Sequence, residues 1–295
     1  MNLTSLKSMK NSGKKITMLT CYDASFAKIL ESINVHALLV GDSLGMFIKG
    51  DINTHNVSLN DMIYHTRAVA QGAKSTFIIS DLPIHTYENN DLAYKSALAL
   101  IEVGAKMVKL EGGSSITPVV QHLKAKDIKV CGHIGFMPQF TQGMNHTQIE
   151  DAMKKALETI VEDANVLERS GVDMLVLSSI PEGIAKKITQ TISIPTIGFH
   201  SGKACDGEVF ILYDLLMNSD TSHDLYLNDS LQSNKSIDVK DLLLKSIKNH
   251  SQYQAIEFQF FVKDREYLLW MAQIRMAHLI FEASTNLHPM CVDSF

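Results

Sequence analysis

Cysteine is scarce and scattered: Cys21, Cys131, Cys205 and Cys291 are spread over 295 residues, and no two form a CxxC pair. That spacing offers neither a cysteine zinc site nor a disulfide framework, and it reads as reduced thiols in a cytoplasmic setting. Long apolar runs are missing too. None approaches the roughly 18–20 residues that span a bilayer. The polar opening MNLTSLKSMKNSGKK lacks the apolar centre of a secretory signal. Blocks of positive charge are absent: 27 basic residues against 32 acidic ones leave a formal net charge of −5. Nothing here is built to neutralise a phosphate backbone, so nucleic acid is not an expected partner. No GxGxxG follows the first apolar run, which weighs against a dinucleotide fold. What remains is ordinary globular composition, 45% apolar and 20% charged, long enough to bury a sizeable core.

From about Lys15 to Met217 one rhythm repeats: a short apolar run, a polar turn, then a helical stretch. The runs are Ile16–Thr20, Val35–Gly41, Phe77–Ser80, Met107–Leu110, Val130–Gly135, Met174–Leu177 and Pro195–Phe199, with Val209–Tyr213 as a weaker eighth. They are apolar nearly throughout, as parallel strands covered on both faces are. Helical spacing lies between them. In Asp91–Val103 it aligns Ala93, Ala97, Leu100 and Ile101; in Ile149–Ser170 it aligns Met153, Ala156, Ile160, Ala164 and Leu167. Gly104 and Gly171 stand where such helices stop. Seven or eight βα units in about 200 residues predict a (βα)8 barrel over residues 1–217.

Beyond Met217 the character changes. Asn218–Ile237 is polar and rich in serine and asparagine, reading as a surface loop or a disordered stretch. Helical pattern returns at Val239–Lys248 and Phe261–Ser284, the latter carrying Trp270, the only tryptophan. Residues 218–295 are therefore expected to be a helical extension that packs on the barrel or at a subunit interface.

In a parallel barrel the carboxyl ends of all strands open on one face, where chemistry gathers. The second run ends in Gly41-Asp42-Ser43, the third in Asp81, the fourth in Lys109-x-Glu111. The fifth contains His133, the sixth ends in Ser178-Ser179 and the seventh in His200. A single Asp at such a junction is as readily a helix cap, and a lone strand histidine is more often a hydrogen-bonded core residue. Three carboxylates on neighbouring strand ends repel one another, which favours a neutralising cation. Oxygen ligands without a cysteine or histidine cluster suit a hard ion, most simply Mg²⁺. Lys109, two residues before Glu111, shares its side of the strand and can meet an anionic substrate.

The segments MLTCYDASFAKIL, LLVGDSLGMFIKG, DMIYHTRAVAQGA, SDLPIHTY, GAKMVKLEGG, VCGHIGFMPQ and SIPTIGF, in this order, closely resemble the ketopantoate hydroxymethyltransferase family. The resemblance runs from Lys14 to about Met217. It implies a (βα)8 barrel, Mg²⁺, 3-methyl-2-oxobutanoate as substrate, 5,10-methylenetetrahydrofolate as one-carbon donor and a homo-oligomer. By position it implies Asp42 and Asp81 as metal-binding aspartates and Glu111 as the third acid of the metal site. Ser43 and Lys109 match residues that hold the keto acid, and His133 matches a pocket histidine.

The chain departs from that family at the base. A pattern like LVLECVP closes the family's sixth strand, whereas here Leu175–Pro181 reads LVLSSIP, so Ser178 stands at the position of the catalytic glutamate. A serine that keeps its hydroxyl proton at neutral pH is no general base. Glu182 and His200 are the nearby substitutes: Glu182 reads first as an acid in the first turn of a helix, while the ordinary histidine pKa suits His200 to base work. After Pro138-Gln139 the family's glycine-rich loop with lysine and arginine is replaced by FTQGMNHTQIEDA. Three functions therefore stand open: a hydroxymethyltransferase, a non-catalytic paralogue that binds metal and keto acid, and another Mg²⁺-dependent enolate enzyme acting on a 2-keto acid as lyase or mutase.

Overall fold

The computed structural model describes residues 1–217 together with Lys240, Leu243, Leu244 and Ile247. Eight strands close into one barrel, each parallel to both neighbours. In chain order they are β1 (Ile16–Thr20), β2 (Ala37–Val40), β3 (Phe77–Asp81), β4 (Met107–Glu111), β5 (Val130–Gly135), β6 (Met174–Ser178), β7 (Thr196–Phe199) and β8 (Gly207–Phe210). The helices are α1 (Leu3–Asn11), α2 (Ala24–Ser32), α3 (Leu44–Phe47), α4 (Leu59–Gly72), α5 (Asn90–Glu102), α6 (Thr117–Ala125), α7 (His146–Ser170), α8 (Glu182–Thr191) and α9 (Leu212–Met217). The expected (βα)8 architecture is thus the one observed.

Strand residues of one parity point into the barrel and those of the other face the helices. Ile16, Met18, Ala37, Leu39, Phe77, Ile79, Met107, Cys131, Met174, Val176, Ile197 and Val209 form the interior cluster. Leu19, Leu38, Val40, Ile78, Val108, Leu110, Leu175 and Leu177 belong to the outer layer beneath the helices. Both faces are dry, which is why the strands read as unbroken apolar runs. Leu6 joins the interior cluster, with Leu3 and Met9 packed beside it, so the polar N-terminal stretch carries a helix with one apolar stripe.

The helix limits have local causes. Asn89 caps α5 by accepting from the Leu92 N–H, and Gly104 follows it at φ 125°. A reciprocal Asn145–Gln148 capping box starts α7 at His146, three residues before the expected start. Gly171 ends that helix in the left-handed region at φ 103°.

One strand expectation needs correcting. The eighth strand is Gly207–Phe210, not Val209–Tyr213. Gly207 pairs with Ile16, where a Cβ would lie 2.4 Å from the Ile16 carbonyl oxygen. By Leu212 the chain is helical: the Leu212 N–H donates to Thr20 Oγ1 at 3.0 Å, and Leu212 and Leu215 bury one face. Within the expected helix Val239–Lys248, Lys240, Leu243, Leu244 and Ile247 are helical, and Leu243 is buried in the outer layer. The expectations for Asn218–Ile237 and Phe261–Ser284 lie outside the described residues.

Candidate active site

Toward the carboxyl ends of β3, β4 and β5 the inward-facing positions carry Asp81, Lys109, Glu111 and His133 where the stripes before them carry Phe, Ile, Met and Cys. In register, Asp81 lies beside Lys109, and Glu111 beside His133. The Lys109 ammonium sits 2.8 Å from Asp81 Oδ1, and His133 Nδ1 lies 3.0 Å from Glu111 Oε1. Asp42 follows β2, and its backbone N–H donates to Asp81 Oδ2 at 3.2 Å. Gly41 leaves room for the Ser43 hydroxyl, since a Cβ there would lie 2.8 Å from Ser43 Oγ. Ser43 leads into α3 and shares a 2.8 Å hydrogen bond with the Tyr22 hydroxyl. Asp42, Asp81, Lys109, Glu111 and His133 are all buried.

Two further residues complete the cluster, and the sequence reading missed both. Gln139, only 1% exposed, lies in the 3₁₀ turn Pro138–Phe140 after β5. Its Nε2 donates to Asp42 Oδ2 at 2.7 Å and to the Leu82 carbonyl at 3.1 Å, and its backbone N–H donates to Glu111 Oε2 at 3.0 Å. The Tyr87 hydroxyl, from the loop after β3, donates to Gln139 Oε1 at 2.5 Å. Both residues lie in segments that carry the family resemblance, SDLPIHTY and VCGHIGFMPQ. Chemical type alone gave no signal, because a neutral amide and a phenol do not stand out as site residues.

Three carboxylates, one lysine and one histidine share this buried space, and their proton affinities show the strain. Burial, then the facing Asp81 and Glu111, push the Asp42 pKa well above the ordinary aspartate value. Burial alone would lower the Lys109 pKa, but Asp81, Glu111 and Asp42 outweigh it and hold the ammonium charged. Burial would likewise raise the Glu111 pKa; His133, Lys109 and the Gln139 N–H reverse that and leave it low. With all three acids ionised the site would carry an excess of buried negative charge, which a cation relieves.

The donor set fits Mg²⁺ in part. Asp42 and Asp81 are adjacent, whereas both Glu111 oxygens are engaged, one by His133 and one by Gln139. Among the described residues no three His, Cys, Asp or Glu side chains form a ready-made metal cage. That arrangement agrees with a small ion that keeps several waters and takes one or two carboxylates. Nε2 of His133 is buried without a hydrogen-bond partner, so the pocket retains a polar group for a ligand to satisfy.

The remaining expected residues lie outside these contacts. Ser178 closes β6 and is 1% exposed; it shares the inward parity of Met174 and Val176, with Gly135 and Phe199 beside it in register. His200 follows β7 at φ 51°, exposed, its ring stacked 4.1 Å from that of Phe199. Glu182 opens α8, and its Oε1 accepts from the Lys203 N–H at 3.1 Å, which ties down the loop after β7. The described cysteines, Cys21, Cys131 and Cys205, are free and buried, and burial pushes their thiols up to about 12, 12 and 11. Cys291 lies outside the described residues.

Comparison with known proteins shows the family and the fold. The family model described as ketopantoate hydroxymethyltransferase matches residues 1–240. Among curated proteins, the 3-methyl-2-oxobutanoate hydroxymethyltransferase of Nitrosococcus oceani is 45% identical over 217 residues, covering 73% of this chain and 82% of that protein. The protein of the same name from Ruthia magnifica is 44% identical over 216 residues, covering 73% and 83%. Two solved structures share the fold at low identity. A 2,3-dimethylmalate lyase of the PEP mutase/isocitrate lyase superfamily matches at 16% identity and TM-score 0.56, over 85% of this chain and 95% of that one. A phosphonopyruvate hydrolase in complex with oxalate and Mg²⁺ matches at 11% identity and TM-score 0.58, over 87% and 100%. The chain belongs to the ketopantoate hydroxymethyltransferase family.

Proposed function

We propose that the chain forms ketopantoate by transferring a hydroxymethyl unit from 5,10-methylenetetrahydrofolate to 3-methyl-2-oxobutanoate, with Mg²⁺ held by Asp42 and Asp81 and with Glu111 as the third acid of the site. The observation that carries this reading is the buried carboxylate cluster around Lys109 at the rim of a barrel of this family. Lys109, kept protonated by its three acidic neighbours, attracts the substrate carboxylate. Ser43 and the unpartnered Nε2 of His133 supply hydrogen bonds that orient the keto acid. Bound at the aspartate pair, Mg²⁺ stabilises charge on the substrate's keto oxygen. The water-poor surroundings strengthen each of these interactions.

Removal of the C3 proton needs a base. Ser178 occupies the strand end where the family resemblance expects a glutamate, and a serine hydroxyl does not serve. His200, just after β7, is the candidate, and to act it must turn from its exposed place beside Phe199 toward the mouth. Ser178 also favours a second reading, a relative that binds metal and keto acid without turnover. The same proposal takes residues 1–217 as the catalytic barrel and residues 218–295 as an appended helical segment, in a cytoplasmic homo-oligomer. Light scattering on the full chain reads the assembly. Among the described residues no helix is long and apolar enough to cross a membrane.

Proton exchange tests the chemistry. The protein with Mg²⁺ and 3-methyl-2-oxobutanoate in D₂O is followed by NMR at C3, and ketopantoate is measured after adding the folate. Exchange that requires both protein and metal, and that falls about 10²–10⁴-fold in His200→Ala, supports transfer with His200 as base. Metal-dependent binding without exchange, restored by Ser178→Glu, supports the non-catalytic reading. Absence of any metal-dependent substrate binding overturns both.

A further inference from the structure

We propose that Gln139, locked by Tyr87, is the positioning residue that fixes how Asp42 and Glu111 face the cation site. The inference rests on the metal site assigned above and extends it to two side chains that touch neither metal nor substrate in that scheme. The orientation of the Gln139 amide follows from its surroundings. The Leu82 carbonyl, 3.1 Å away, can only accept a hydrogen bond, so the amide atom facing it is the NH₂ group. The second hydrogen of that group is directed at Asp42 Oδ2, 2.7 Å away. Oε1 then faces the Tyr87 hydroxyl, which donates to it.

One neutral side chain thus commits one oxygen of Asp42, while its own backbone N–H commits one oxygen of Glu111. Acidic side chains on separate loops and strands are held in fixed relative positions without adding charge to a site already in excess of negative charge. A turned amide would set Oε1 against both Asp42 and the Leu82 carbonyl; the Tyr87 hydroxyl favours the productive orientation. Hydrogen-bonded partners of metal-binding carboxylates typically carry 10–100-fold in metal affinity or activity.

Mn²⁺ serves as a paramagnetic probe, and its binding to the metal-free full-length protein is measured by EPR, with thermal melts recorded alongside. Gln139→Leu is expected to weaken Mn²⁺ binding about 10–100-fold. Tyr87→Phe, which removes a single hydroxyl and keeps the ring, is expected to weaken it about 3–10-fold, as for loss of one hydrogen bond. The Tyr87 hydroxyl has one other contact, a long one of 3.4 Å to the Glu111 carbonyl, so its effect runs mainly through the amide and Tyr87→Phe added to Gln139→Leu should cause at most a small further loss. That saturation is a signature that general loosening of the fold does not produce. Should Gln139→Leu fail to fold, the affinity of Tyr87→Phe decides alone. Wild-type affinity in a folded Tyr87→Phe variant, or independent losses in the double variant, overturns the proposal. Failure of the wild-type protein to bind Mn²⁺ overturns instead the metal site on which it rests.

Discussion

Replacing Asp42 by asparagine should stabilise the metal-free protein while abolishing its response to Mg²⁺. The exchange keeps shape and volume, leaves the backbone N–H on Asp81, and still presents an oxygen to Gln139 Nε2. What disappears is an acid whose ionised form faces two other carboxylates, with only Lys109 to offset them. At an effective dielectric of about 20, two unit charges roughly 5 Å apart repel by about 3 kcal/mol. Attraction to Lys109 cancels part of the combined repulsion, so a net gain of about 1–3 kcal/mol is expected without metal. For a domain of this size that raises the melting temperature by roughly 2–10 °C. Wild-type protein should recover the difference when metal is added, since a ligand at one hundred times its Kd contributes about 2.7 kcal/mol. Calorimetry at pH 7.5, in chelator and then in excess Mg²⁺, reads both halves: the gap between the two melts should close or reverse. A variant that melts lower than wild type in chelator, or gains as much from Mg²⁺, refutes the idea that like-charge strain at Asp42 is held for a cation.

Other consequences concern the frame around the site. Burial raises the Asp214 pKa from 3.8 to about 7, so its ionised form disfavours the folded state. Stability should therefore grow as pH falls from about 7 toward 4, by up to about 4 kcal/mol at roughly 1.4 kcal/mol per pKa unit, and Asp214→Asn should flatten that slope in pH-dependent urea melts. Glu31 has the opposite sign. Burial works to raise its pKa, but donation from Ser75 and Thr76 to Oε1 outweighs it and leaves the value below 4.5. Its contribution is present above pH 4.5 and lost as pH falls through the lowered value, so Glu31→Gln should cost about 1 kcal/mol at pH 7 and progressively less as the pH falls below 4.5. Gly72→Ala should destabilise by about 1–3 kcal/mol in urea melts, because its Cβ would lie 2.2 Å from the Ala24 carbonyl oxygen and 2.7 Å from Ala27 Cβ.

The barrel was legible because its physics is repetitive. Each strand must be dry on both faces, so Met107 inside and Val108 outside belong to one apolar run, and Asp81, Lys109 and Glu111 stand out by interrupting that pattern. The eighth strand was misplaced for the same reason. Gly207-Glu208-Val209-Phe210 begins with a residue that has no side chain and a charged one, while the more apolar segment after it continues into α9. Its position is set by the close approach of Gly207 to Ile16, a contact between the first and last strands about 190 residues apart that no local pattern records.

The site divides along a similar line. Asp42, Asp81, Lys109, Glu111 and His133 could be read in advance, because the architecture carries the carboxyl ends of all eight strands to one rim and only side-chain type had to be supplied. Gln139 and Tyr87 could not, since each reaches the cluster from a loop whose path is decided by the folded packing. The sequence argument found the repulsion among three acids and resolved it with a cation alone. In the folded chain the same repulsion is met in three ways: Lys109 pairs with Asp81, His133 faces Glu111, and the uncharged Gln139 donates from its side-chain amide to Asp42 and from its backbone N–H to Glu111. The neutral donor matters because it leaves the charge imbalance standing. A second lysine in place of Gln139 would settle the carboxylates more fully and, by the same electrostatics, leave less reason for a divalent ion to bind.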